Sequence, residues 1–390
     1  MDVNKNRIQN NAVLIEKDCL KVGKNYIAVY FNGMRKVLST SALNGGIHNN
    51  LRAVFNMDGK PEDGSEIVLK GGTYESHLRH ESFSLLGVSG DASTGMMTAA
   101  DMKHAAVSSR QYEKLAVTAI VTGGIEKNGG RAGDPALWQE EAGIWREAPP
   151  GNNQGPEKEV QKQPLREKLG TINIMLFINA ALTDGALERA LVTCTEAKTA
   201  AIQELSIDSC YSCGIATGSG TDGTILVSNA ESRMHLTEAG KHCKLGELIG
   251  CTVKEAVREA LYRQTGVGAE LQKDAFRRLR RHGIDEIQLW EFALEQKLTE
   301  PGNRMHFKRQ AERWARDPHI AAWSVLEGHL QDEKLWGMLD SREAEEAEKS
   351  LWRGFFGENQ EESGNTGDIR RKIVGQILDM KDNPAENKQE

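Results

Sequence analysis

Apolar positions come in short, closely spaced runs up to about residue 265 and in charged helical stripes after it. Residues 13–16 and 26–31 are apolar runs divided by Val22-Gly23-Lys24-Asn25, which reads as a hairpin. Residues 36–38 read as a third short strand. Residues 47–75 are mixed and Gly-rich and read as a surface excursion. The spacing predicts a helix over 76–86 with Ser76 as its N-cap. Residues 95–100 and 115–122 read as strands. The second alternates apolar residues with threonine and carries no charge, which marks a strand buried on both faces. Residues 171–179 repeat that texture. A helix capped by Thr183 or Asp184 then runs to Leu205. A strand follows at 225–228, and an amphipathic helix at 244–264 carries Leu245, Leu248, Ile249, Val253, Val257 and Leu261 near helical spacing. Short N-terminal strands, two buried strands and two long helices predict an α/β class. The expectation is a layered domain with a mixed β-sheet packed by helices, plus a C-terminal helical appendage.

That domain is expected to span residues 1–266, with an exposed insertion at about 147–168 where Pro, Gly, Gln and charge replace apolar residues. Residues 267–355 read as the appendage, with Trp290, Trp314, Trp323, Trp336 and Trp352 scattered through charged helical segments. Residues 356–390 read as a mostly disordered tail around one short helix at 369–380. No internal repeat is visible.

Composition narrows the partners. The net charge of -7 over 390 residues argues against nucleic acid, whose phosphates favour a basic surface. No apolar run reaches the ~18 residues that would cross a bilayer, and no signal-like stretch opens the chain, so a cytoplasmic location is expected. Six cysteines fit it as reduced thiols. Cys210 and Cys213 form a CxxC pair without a second pair, and neither they nor His77 and His80 complete a metal-ligand pattern. The 39 glycines concentrate before residue 270, so this part has many tight turns or close approaches to a ligand.

Several strings then stand in order across residues 13–265: STSALNGG at 39–46, GMMTAA at 95–100, VTGG at 121–124 with NGGRAGDP at 128–135, GTINI at 170–174, TEAKT at 195–199, ATGSGTD at 216–222 and GKHCKLGELIG at 240–250. Together they make the chain resemble the adenosylcobinamide amidohydrolase family of corrinoid salvage. The pattern departs at Cys243 and Ser219, where Ser and Thr are more usual; both changes keep size. The resemblance implies hydrolysis of the amide between a corrin propionyl side chain and aminopropanol, giving adenosylcobyric acid. It implies a corrinoid small-molecule substrate, with cobalt present only in that substrate and no cofactor of the protein's own. A non-catalytic corrinoid-binding or trafficking protein is the alternative. Oligomeric state stays open.

Amide hydrolysis needs a nucleophile or activated water, an oxyanion stabiliser and an acid for the leaving amine. Four residues are the catalytic candidates. Lys198 falls within the apolar stripe of the 186–205 helix, so it is either a base or oxyanion donor at a cavity or a snorkelling structural lysine. Glu196, on roughly the opposite face, is either an acid/base or a solvated carboxylate. Thr171 follows Gly170 at a strand start. It resembles the nucleophile of enzymes that cleave themselves to expose an N-terminal Thr, or it simply fills a strand face. Asp222 closes a Gly-rich loop suited to amide or cation recognition, whose N–H groups are expected to hold the oxyanion. Substrate-binding candidates are Asn44, Asn128, Arg131, Asp134, Asn173, Thr195, Thr217, Ser219, Thr221 and His242. No metal ligand is assigned. The loops at 39–46, 128–134 and 217–222, with Lys198, are expected to line one wide cleft.

Overall fold

The computed structural model describes residues 8–15, 17–60, 67–136, 138–141, 144–148, 170–357 and 368–380. Most of the expected insertion at 147–168 lies outside them, as do 358–367 and 381–390 of the expected tail. The chain divides into two compact units, Met1–Gly268 and Ala269–Glu390.

The first unit is built on two mixed sheets. A four-stranded sheet has the order β1 (Cys19–Val22), β2 (Tyr26–Tyr30), β5 (Ala53–Asp58), β6 (Ser93–Thr98). A six-stranded sheet has the order β4 (Gly46–His48), β3 (Arg35–Ser39), β10 (Gly223–Asn229), β9 (Asn173–Ile178), β8 (Leu115–Thr122), β7 (Ala106–Tyr112). Only β5–β6 and β9–β10 are parallel within these sheets. The hairpin forms around residues 23–25, but its first strand is 19–22 rather than 13–16. The segment abutting the turn is the one that pairs, with Val22 opposite Ile27. The excursion expected at 47–75 is also corrected, because it contains β5, a central strand whose residues Ala53 to Met57 are all buried.

Strand alternation sets the layers. Ile27, Val29, Val54, Met96, Met175, Phe177, Ile225 and Val227 point into one shared core between the sheets. Ala28, Ala53, Phe55 and Met57 point the other way, with Leu78 and Leu86 of the helical segment after residue 73. On the far face of the six-stranded sheet lie α2 (Asp184–Glu204) and α3 (Lys244–Thr265), which pack on each other and, through α3, on β7 and β8. The result is four layers, helix–sheet–sheet–helix. All eight residues of β8 are buried, and burying each Val or Ile contributes roughly 1.5–3 kcal/mol.

Local chemistry fixes the ends. Gly71 and Gly72 take φ values of 75° and 80°, which deliver the chain to Thr73. Thr73, not Ser76, caps α1 (Tyr74–Glu81), and its hydroxyl accepts the Ser76 N–H at 3.1 Å. The helix widens into a π turn over Ser82–Leu86 and stops at Gly87. Thr183 caps α2, and α3 ends on Gly266 in the left-handed region.

The second unit is helical throughout its described residues: α4 (Ala275–Leu279), α5 (Glu286–Glu295), α6 (Arg304–Arg316), α7 (Pro318–Leu335), α8 (Ser341–Phe356) and α9 (Ile369–Asp379), with short turns between. Its core is aromatic. Trp323 meets Trp352 edge-on at 5.5 Å and Trp314 at 6.0 Å, and Trp290 meets Phe307 at 5.2 Å. The helix expected in the tail belongs to this core, since Ile373, Val374 and Ile377 of α9 are fully buried in it.

Candidate functional site

The two sheets end together at a cleft of about 360 Å³. The four-stranded sheet and its helix contribute Ile67, Tyr74, Met96, Met97, Thr98 and Ala99. The six-stranded sheet contributes Thr40, Ser41 and Ala42 after β3, Gly170, Thr171 and Asn173 at the start of β9, and Thr221, Asp222 and Gly223 at the start of β10. One side is therefore mainly apolar, and the other carries hydroxyls, an amide and a carboxylate. Tyr74 is anchored because its phenol oxygen accepts the Met97 N–H at 2.9 Å, and burial pushes that phenol up from its ordinary pKa.

Asp222 organises the polar side. Its Oδ1 accepts the Ile172 N–H at 3.0 Å and the Ser219 hydroxyl at 2.6 Å. Its Oδ2 accepts the Ser219 N–H at 3.0 Å and an ion pair from Lys198 Nζ. Both side chains of the pair are nearly buried, with 12% and 11% exposure. Gly218 permits their approach: a Cβ there would lie 2.4 Å from Asp222 Oδ2 and 2.7 Å from Lys198 Nζ. The carboxylate thus ties the α2 helix and the 218–222 loop to the entry of β9. Thr171 precedes Ile172 and Thr221 precedes Asp222, so the same clamp sets their hydroxyls 2.7 Å apart. The Thr221 hydroxyl also donates to the Gly170 carbonyl at 3.3 Å, and Asn128 Nδ2 donates to that same oxygen.

A buried amide ladder closes the floor. Register places Thr122, Asn173 and Gly223 in one row across β8, β9 and β10. Asn173 donates to Asn56 Oδ1 at 2.8 Å and to Met97 O at 3.2 Å, and Asn56 donates to the Thr122 hydroxyl at 2.8 Å. The ladder joins the two sheets where the apolar core gives way to the cleft. Buried amides of this kind are tolerated when their bonds are made.

Thr171, Asn173, Thr221 and Asp222 line the cleft. Lys198 and Ser219 stand behind it on Asp222, and Asn128 stands behind Gly170. The other residues are engaged elsewhere. Glu196 is exposed and pairs with Lys241 at 2.6 Å, because position 196 falls on the outer face of α2. Thr195 is exposed and donates to its own helix at Leu191 O. His242 is exposed in the turn before α3. Asn44 has φ 48° and donates to Gly90 O and Ser93 O, which makes it a loop anchor. Asp134 accepts the Arg131 N–H and the Ser209 hydroxyl, and the Thr217 hydroxyl accepts the Ala132 N–H, so Arg131, Asp134 and Thr217 join the 128–134 loop to the 209–217 loop. That loop does not line the cleft. Nor are the N–H groups of Thr217, Ser219 and Thr221 available for an oxyanion: they go to Gly130 O, Asp222 and the Ser219 hydroxyl.

The sequence reading missed Asn56, Tyr74 and the two methionines as site residues. Asn56 interrupts the apolar run Ala53-Val54-Phe55-Asn56-Met57, and a lone amide there is the signal that could have found it. A larger concavity of about 670 Å³ runs along α3, but its charges largely satisfy one another, as in the Arg110–Glu255 pair, and it holds none of the hydroxyl network. The smaller cleft has the chemistry.

A family model described as adenosylcobinamide amidohydrolase matches residues 12–269, which is almost the whole of the first unit. The chain belongs to the adenosylcobinamide amidohydrolase family. A curated relative, the uncharacterized protein MJ1613 of Methanocaldococcus jannaschii, is 38% identical over 177 residues, 43% of this chain and 62% of that protein's length. The PH0078 protein from Pyrococcus horikoshii OT3, known as a crystal structure, matches 66% of this chain and 81% of its own at 13% identity and a TM-score of 0.30, a likeness too distant to carry fold or function. The cleft of this family member lies wholly within the matched residues.

Proposed function

We propose that the chain hydrolyses the amide joining a corrin propionyl side chain to aminopropanol in adenosylcobinamide, releasing adenosylcobyric acid. Family membership supplies the substrate class. The observation that carries the reading is the Thr171–Thr221 hydroxyl pair, held 2.7 Å apart in the cleft by the Asp222 clamp.

Thr171 Oγ1 is the nucleophile in this reading. It attacks the propionyl carbonyl, the bond to nitrogen breaks, and aminopropanol leaves as the amine. Water then cleaves the acyl ester and restores the hydroxyl. Thr221 orients the nucleophile, while Asn173 and Thr40 face the substrate's amide groups. The Ile67, Tyr74 and Met97 side takes apolar parts of the corrinoid. Lys198 donates to Asp222 and therefore acts as a positioning residue, not as the base considered from the sequence. Glu196, paired with Lys241, and the exposed His242 do not line the cleft and are given no part in this reading.

The test is incubation of the purified chain with adenosylcobinamide and with complete cobalamins, followed by mass detection of the corrinoid acid. Product from adenosylcobinamide supports the reading. Corrinoid binding without product would leave a carrier in its place.

A further inference from the structure

The Thr171 hydroxyl makes one hydrogen bond, to Thr221, and among the described residues no carboxylate or imidazole is bonded to it. A threonine needs a base to attack an amide. Yet the peptide carbonyl immediately before it is held like a reacting group. Gly170 O receives Asn128 Nδ2 and the Thr221 hydroxyl, two side-chain donors on an oxygen beside a nucleophile. Either hydroxyl can donate the 2.7 Å contact; with the Thr221 hydrogen on Gly170 O, Thr171 donates it. This gives a hydroxyl chain from Thr171 through Thr221 to the Gly170 oxygen.

Two further features belong to this spot. Gly170 has no room for a side chain: a Cβ would lie 2.6 Å from Asn128 Oδ1 and 2.8 Å from Gly124 O. Among the described residues Asn128 Oδ1 is buried with no hydrogen-bond partner, which leaves an acceptor beside Gly170. An unmet buried acceptor is costly, roughly 1–3 kcal/mol in general, which makes a partner arriving later a natural purpose for it.

We propose that the chain cleaves its own Gly170–Thr171 peptide bond and works with Thr171 as an N-terminal nucleophile. Thr171 Oγ1 attacks the Gly170 carbonyl carbon, and its proton passes through Thr221 to the carbonyl oxygen. The tetrahedral centre collapses by returning that proton to the Thr171 nitrogen as the C–N bond breaks. The result is an ester on Oγ1 and a free amine. One water hydrolyses the ester, leaving the Gly170 carboxylate and the restored hydroxyl. The new amine lies on the same residue as the hydroxyl, takes its proton during attack on substrate and passes it to the departing amine. Asn128 Oδ1 becomes the amine's acceptor. The inference rests on the reading of Thr171 as nucleophile of the amidohydrolase reaction.

Intact-mass and N-terminal analysis of the full chain, followed from early expression through prolonged incubation, tests it. The expected result is conversion to two polypeptides, the second beginning at Thr171. Thr171→Val stays single, Thr171→Ser splits at the same bond, and Asn128→Ala slows splitting by roughly 10²-fold, the scale for one lost oxyanion donor. Wild-type chain that stays single while it hydrolyses adenosylcobinamide overturns self-cleavage and leaves the function intact. Splitting of Thr171→Val at the wild-type rate also overturns it, as cleavage by another protease. A chain that splits as expected but leaves adenosylcobinamide untouched keeps the inference and removes the proposed substrate.

Discussion

The two units differ in the polar groups they bury: in the unit that holds the cleft most are bonded, with Asn128 Oδ1, Ser228 Oγ and Thr252 Oγ1 unmet among the described residues, whereas in the helical unit a carboxylate oxygen is left unmet beside aromatic rings. In the first, small side chains at the sheet ends form closed networks: Asp222 accepts four hydrogen bonds, and Asn173, Asn56 and Thr122 satisfy one another. In the second, large aromatics fill the core and leave polar atoms stranded. Glu327 is fully buried, and among the described residues its Oε2 has no partner; neither do the indole nitrogens of Trp323 and Trp352. A bonded network holds geometry for chemistry, whereas a buried carboxyl bonded at one oxygen only, through Gln331, makes stability respond to pH. The family match and the proposed site lie in the first unit, and a titratable weakness lies in the second.

The largest effect is expected at Thr171. Thr171→Val should lower amide hydrolysis by about 10³-fold or more while the melting temperature holds, read by product mass and by thermal unfolding. Next comes Lys198→Ala. It leaves Asp222 nearly buried without its cation and should cost roughly 3 kcal/mol in stability to denaturant. It should also cut kcat by about 10²-fold, with KM changed far less, because the hydroxyl pair loses its clamp. A Lys198→Ala chain with full turnover would break the claim that closed networks serve catalysis.

Glu327 tests the other half. Burial pushes its carboxyl up to about 7, against an unfolded value near 4.3. Folding favours the protonated form, so the stability contributed by Glu327 is full below about pH 4.3, falls as the pH rises towards 7, and is level above it. At roughly 1.4 kcal/mol for each pH unit, the loss is about 4 kcal/mol. Glu327→Gln should restore it at pH 8 and flatten the profile of the second unit in pH-dependent unfolding. The smallest expected effect is that of removing residues 269–390: turnover of a chain ending at Gly268 should be unchanged, as checked by the same product assay.

Much of this was legible in the sequence. Charge-free β8 and β9 announce burial on both faces, and α3 announces itself by its stripe. The change of texture near residue 268 falls where the structure divides. Thr171, Asn173, Thr221 and Asp222 stood out because polar residues beside glycine at strand ends seldom serve packing alone. What escaped depends on chain pairing. Nothing local in residues 53–58 reveals a partner strand 40 residues on, so β5 read as surface and Asn56 was lost with it. On α2, angle alone put Lys198 inside and left Glu196 open; Lys241, from another segment, holds Glu196 outside. The engagement of the Thr217, Ser219 and Thr221 N–H groups escaped for a related reason, since pairing with Gly129–Gly130 and the Asp222 clamp come from other segments or from side-chain geometry.

The most direct test of the central claim is mass detection of adenosylcobyric acid from adenosylcobinamide, with wild type and Thr171→Val assayed side by side. Product should accumulate with the wild type and be nearly absent with the variant while the variant remains folded. Equal turnover by both would contradict it.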